Sequence, residues 1–183
     1  VHKGVIEYRS GVSINSIDAS TMTLNTSAGN LTANVINAIP AHRAGKVITD
    51  NGLANVSGRW AGVDVLTYQS TVAPGIHVIG DASATTQPKA GHIANQEAKI
   101  CADAIVRLLA GRSPDPSPIT NSACYSPITS DTASWLTAVF AYDPVSGSMQ
   151  PVPGAAGEAT ARSQDNYKEM FKWFNTLMED SFA

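Results

Sequence analysis

The sequence predicts an α/β chain whose last part turns to α+β, and three observations predict it. A turn at Pro74-Gly75 leads into the short β-branched run Ile76-His77-Val78-Ile79, which ends on Gly80-Asp81 and is followed by a long helical period. A second apolar run, Val35-Ile36-Asn37-Ala38-Ile39, stops at Pro40. After the proline-punctuated stretch Ser113–Pro118 the pattern changes to strand-like segments, a hairpin turn and one amphipathic helix. Short apolar runs bounded by turn residues are what strands covered on both faces look like, so Ile76–Ile79 and Val35–Ile39 are expected as buried strands, the first in a parallel sheet.

Taken in order, residues 4–39 read as a β-meander: Gly4–Tyr8, Gly11–Ile14, Met22–Asn25, a turn at Ala28-Gly29-Asn30, and Leu31–Ile39. Ala41–Ala61 is loop with a short helix around Ala44–Leu53, and His42, Arg43 and Lys46 read as a solvated polar loop rather than a binding patch. From His92 to Arg112 the period is helical, with Ile93, Ile100, Cys101, Ala104, Ile105, Leu108 and Leu109 on one face. Gly111 closes that helix, with Arg107 and Arg112 near its negative end. Cys101 on the apolar face reads as a small core hydrophobe, whereas His92 stays open between a capping or surface residue and a functional one.

Ser113–Pro118 cannot be helical and marks a boundary. Asn121–Pro127, which contains Cys124, is a short extended piece. Ala133–Tyr142 and Gly147–Val152 follow as strands, joined by a turn at Asp143–Gly147. Ser163 caps a last helix, Gln164 to about Met178, whose stripe of Tyr167, Met170, Phe171, Phe174, Leu177 and Met178 suits a core or a subunit interface, with Trp173 beside it.

Composition excludes several classes. A net charge of -3 with only 15% charged residues leaves no basic footprint for nucleic acid. No run is long and apolar enough to cross a membrane. The chain opens on Val1 with no leader, which reads as a portion of something longer. No Gly-x-Gly-x-x-Gly fingerprint occurs, since Gly154-Ala155-Ala156-Gly157 follows no strand, and no Cys-x-x-Cys-His haem attachment site or metal-ligand cluster is present. The chemistry therefore concentrates at Gly80-Asp81. Ligands of open α/β sheets sit at the carboxyl ends of strands, where a glycine admits close approach and a carboxylate accepts hydrogen bonds from the hydroxyls of a polyol.

This strand, corner and helix resemble the second FAD-binding segment of the two-dinucleotide-fold flavoproteins. The resemblance implies that Asp81, following Gly80, holds the ribityl chain of FAD, and that the backbone of Pro88, Lys89, Ala90 and Gly91 faces the pyrimidine edge of the flavin. Nearly the whole chain is similar to one family within that group, the flavoprotein subunit of flavocytochrome c sulfide dehydrogenase, related to sulfide:quinone reductases. Four pieces carry the similarity: Val35–Pro40 with Arg43–Lys46, Gly75–Ala82, Pro88–Gly91 with Ala94-Asn95, and Asn121–Ser126 around Cys124.

The resemblance implies that residues 1–33 are the tail of a NAD-like domain, 34–112 the later part of the FAD domain, and 113–183 a small hairpin-and-helix domain at the flavin and partner interface. Cys124 would be one half of a redox-active disulfide beside the flavin, its partner cysteine lying outside this sequence. The activity implied is oxidation of sulfide, with electrons passing through FAD to haem c on a cytochrome c subunit, Trp173 lying between the two, in the periplasm. This chain alone would be inactive. Ala123 stands where relatives tend to have a hydroxyl residue and His92 where they tend to have tyrosine. Two other readings stay open: a nicotinamide-dependent flavin oxidoreductase with Cys124 incidental, and a folded piece without catalysis.

Overall fold

The structure is a computed structural model and describes residues 5–182. It divides into two compact units, Val1–Ala41 and His42–Ala183.

In the first unit, β1 (Ile14–Asp18), β2 (Thr23–Thr26) and β3 (Gly29–Thr32) form an antiparallel meander. Asp18 shapes the first turn by accepting the Ser20 amide at 2.9 Å. Thr26 Oγ1 shapes the second by donating to Gly29 O at 2.6 Å, with Gly29 at φ +104°. The meander is shorter than expected. Val5–Ser10 form no strand, and Gly4 lies outside the described residues. Val35–Ile39 is not a buried strand either: Val35 and Ile39 are 80% and 74% exposed, and β3 ends at Thr32. A strand needs a neighbour for its N–H and C=O groups, and none of the described residues supplies one there.

The second unit begins with the single-turn helix α1 (Lys46–Thr49), followed by the short pair β4 (Val63–Asp64) and β5 (Gln69–Ser70). Ile76–Ile79, expected as a buried parallel strand, is an extended leg. It makes one antiparallel bridge, His77 to Gln69, supported by Val78 N donating to Tyr68 O at 2.9 Å. Val78 is buried, but Ile76 and Ile79 are 46% and 38% exposed, so only one side of the leg is covered. Apolar content alone could not supply the parallel neighbour that this strand required. Gly80–Ala82 then form a 3-10 turn.

Helix α2 (Gly91–Leu109) ends in a Schellman motif: Arg112 N donates to Arg107 O and Gly111 N to Leu108 O, with Gly111 at φ +68°. Strands β6 (Ile119–Pro127), β7 (Ala133–Asp143) and β8 (Ser148–Pro151) form an antiparallel sheet, with β9 (Gly157–Glu158) also on β7. The Asp143 carboxylate closes the β7–β8 hairpin by accepting the amides of Val145 and Ser146, each at 3.1 Å. Helix α3 (Gln164–Phe182) starts at Ser163, whose Oγ accepts the Asn166 amide at 3.0 Å. Both sheets with more than one ladder are antiparallel, and the fold of the described residues is α+β.

Two apolar clusters hold this unit. Ala44, Ile48, Ala61 and Val78 lie beneath the 3-10 turn, and Val65, Ile93, Phe140 and Met149 join α2 to the sheet. Met149 is fully buried. Met149→Ala is expected to lower unfolding stability by about 2–5 kcal/mol, read as a fall in the urea midpoint at constant slope.

Candidate functional site

Gly80 adopts φ +67°, and a Cβ there would lie 3.2 Å from Ala94 Cβ on α2. Both facts favour glycine. Its N–H donates to Glu97 Oε2 at 2.5 Å, and its carbonyl accepts the Ser83 hydroxyl at 2.8 Å. Thr85 Oγ1 lies 3.4 Å from the other Glu97 oxygen. Glu97 is 1% exposed, and burial pushes its carboxyl up to about 7, against the pull of the Gly80 amide, Thr85, Lys89 and Ser83. It was not among the residues singled out from the sequence, although its position four residues from both Ile93 and Cys101 puts a carboxylate on the apolar stripe.

Asp81 faces solvent, and among the described residues nothing donates to its carboxylate. Lys89 folds back over the corner. Its Nζ donates to Asp81 O at 2.7 Å and Ser83 O at 2.8 Å, and sits 4.1 Å from the centre of the Trp60 ring. Partial burial pulls the ammonium down, opposed by Asp81 and Glu97. Asp81, Lys89, Trp60, His42, Arg43 and Gly45 line a cleft of about 440 Å³. The His42–Arg43 loop, expected to be merely solvated, thus borders the same cleft as the acid.

Ala90 occupies the N-cap position of α2 in extended conformation, and no side chain caps the helix. The first-turn amides of Gly91 and its neighbours are therefore open to an acceptor. One residue on, His92 turns to the sheet: its Nδ1 accepts the Ala123 amide at 3.1 Å, which puts the ring proton of the neutral form on Nε2. Burial pulls its pKa down, in keeping with an acceptor nitrogen. His92 thereby pins the outer edge of β6 to the start of α2, one residue from Cys124.

Cys124 is half-buried and pairs with Leu136 across the ladder. It shares its face of β6 with the buried Thr120 and Ser122. Tyr125 lies against Trp173 at 5.4 Å between ring centres, and Trp173 meets His92 edge-on at 6.0 Å. The Trp173 Nε1 is buried without an acceptor among the described residues. Both cysteines are free thiols; Cys101 is buried on α2, where desolvation pushes its thiol up. A buried relay ties the corner side to β6: Tyr68 donates to Gln87 Oε1 at 3.3 Å, and Gln87 Nε2 donates to Thr120 Oγ1.

Gly80, Asp81, Lys89, Ala90 and Gly91 therefore gather where the 3-10 turn meets α2, and Pro88 is exposed beside them. Cys124 and Trp173 attach to the same helix start through Ala123 and His92. A free carboxylate, uncapped helix amides and an aromatic floor under a lysine suit a group that combines hydroxyls, a hydrogen-bonding ring edge and negative charge. A flavin has all three, and the residues fit it. The class of protein such an arrangement suits is a flavin-binding module. Residues 116–182, from before β6 to the end of α3, match the family model described as flavocytochrome c sulphide dehydrogenase, flavin-binding.

The Glu97 carboxyl gives stability a sign. With a pKa of about 7 folded and 4.5 in the ordinary state, it binds more protons folded than unfolded between those values. Stability then falls as pH rises through that window, by up to about 3 kcal/mol above it. The urea midpoint of the wild type, compared with that of Glu97→Gln, is expected to drop between pH 5 and pH 8; parallel profiles for the two would contradict this.

Proposed function

We propose that the chain is part of the FAD-binding subunit of a sulfide dehydrogenase, oxidising sulfide at a disulfide beside the flavin and delivering electrons to a cytochrome c subunit. The observation that carries it is the pinning of the Cys124 strand, itself part of the segment matched by the flavin-binding family model, to the start of α2 by His92. In this reading residues 34–112 complete an FAD domain of the two-dinucleotide type, 113–183 form the interface domain, and the protein works in the periplasm.

The chain's own residues have defined tasks. Asp81 accepts hydroxyl hydrogen bonds from the ribityl chain, and the amides around Pro88–Gly91 face the polar edge of the ring. Lys89 is held by two carbonyls and is not drawn into an ion pair with Asp81, leaving that carboxylate free. Cys124 supplies one sulfur of the disulfide. Hydrosulfide attacks one of the two sulfurs, a new S–S bond forms as the old one breaks, and the products are a persulfide on one cysteine and a thiolate on the other. Bound FAD supplies a two-electron acceptor that can release electrons singly to a haem. Trp173, stacked near Tyr125 and His92, is the residue assigned to pass electrons toward the cytochrome, for which the exposed Phe171 and Phe174 of α3 offer an apolar face.

In the full-length protein, Asp81→Ala is expected to weaken FAD by about 1.5–3 kcal/mol, the worth of hydrogen bonds to a charged group, and to lower the flavin content after purification. Unchanged flavin content refutes the assignment. Cys124→Ser is expected to keep the flavin spectrum and lose sulfide-dependent cytochrome reduction. Cys101→Ser should keep both, since its buried, desolvated thiol serves packing; equal loss in the two variants would refute the division between the cysteines.

A further inference from the structure

We infer that Glu97 is the positioning residue of the flavin corner: by accepting the Gly80 amide it fixes the turn that aims Asp81 outward. This rests on the flavin reading above. Gly80 belongs to no sheet ladder and lies against α2, so its N–H has neither a strand partner nor open water in front of it. Glu97 Oε2, 2.5 Å away, is its acceptor. The peptide plane between Ile79 and Gly80 is thereby held from the helix side, while Ser83 Oγ holds the Gly80 carbonyl from the other. Asp81 follows directly, so any rotation of the Gly80 backbone moves its carboxylate.

Packing alone does not account for this residue. Glu97 stands where the periodicity of α2 offers a core position, yet it forms no ion pair among the described residues. Among the described residues the cation beside it is Lys89, whose hydrogen bonds go to Asp81 O and Ser83 O. Its other ionisable neighbours, the Tyr68 phenol from the β4–β5 segment, Cys101 from α2 and Asp81 from the corner, offer no compensating positive charge. An uncompensated buried carboxyl is costly unless hydrogen bonds satisfy it, and those it has come from the corner: Gly80 and Thr85 donate, and Ser83 Oγ, already bound to Gly80 O, lies 3.5 Å away. Cβ-level contact at Ala94, three residues before Glu97, leaves the corner little room to shift and find another acceptor.

The test uses the full-length flavoprotein with FAD as the probe, in Glu97→Leu, Glu97→Gln and Asp81→Ala. Glu97→Leu is expected to raise the FAD dissociation constant about tenfold or more and to speed amide exchange across Gly80–Ser83, while Glu97→Gln, whose amide oxygen still accepts the Gly80 N–H, stays within about threefold of wild type. A Leu variant that binds FAD like wild type, or a Gln variant as impaired as Leu, overturns the inference. Loss of FAD in Asp81→Ala but not in Glu97→Leu overturns the role of Glu97 alone, whereas FAD retained in both overturns the flavin reading with it. Should Glu97→Leu not fold, wild-type exchange decides. The Gly80 amide is expected to be as protected as the amides of α2 and to remain so in Glu97→Gln; exchange at the rate of an open loop overturns the inference.

Discussion

The contact between Gly80 and α2 is the constraint from which the rest of the site follows. With no Cβ to hold it off, the Gly80 backbone meets Ala94, and its N–H reaches Glu97 one turn further along the helix. Moving the corner outward by the width of a side chain would strand that amide and bury the Glu97 carboxyl with fewer donors, a cost on the order of 1–3 kcal/mol for each unsatisfied group. The turn is therefore locked to the helix. Asp81 and the backbone folded under Lys89 inherit their positions from it.

Helix α2 then carries the same register to the sheet. Ile93 enters the cluster with Val65, Phe140 and Met149, which sets the rotation of the helix on β7 and β8. That rotation leaves His92 facing the outer edge of β6, where the Ala123 amide would otherwise lack a partner. Cys124 is thus placed by a hydrogen bond at the preceding residue, Ala123, and by the packing of the helix that supplies its acceptor. At the far end, Asp180 of α3 binds Lys99 at 2.6 Å and Asn95 at 3.0 Å. Those exposed contacts add little stability, and the orientation of α3 depends more on Trp173 against Tyr125 and His92.

Charge is arranged unevenly about this frame. The cleft beside Asp81 carries Arg43, Lys89 and the Trp60 ring, whereas the helix side of the corner carries the buried Glu97. One carboxylate is left to solvent and the other is held at a raised pKa, so the two acids flanking a single glycine have opposite environments.

Elements defined by local signals were legible in the sequence. The 3.6-residue period and Gly111 mark α2, Asp143 and Gly147 mark the β7–β8 turn, and Ser163 marks the start of α3, because caps and turns are satisfied within a few residues. The paired glycine and acid of the corner and the extended piece around Cys124 were legible for the same reason. Val35–Ile39 and Ile76–Ile79 were misread as buried strands, since a strand exists only if a distant segment completes its hydrogen bonds, and an apolar run does not reveal whether one does. The uses of Glu97 and His92 were also beyond the sequence. Each is a polar side chain on α2 whose partner lies on another element, Gly80 seventeen residues before one and Ala123 thirty-one residues after the other, and only the packing of α2 between the corner and the sheet brings those amides within reach.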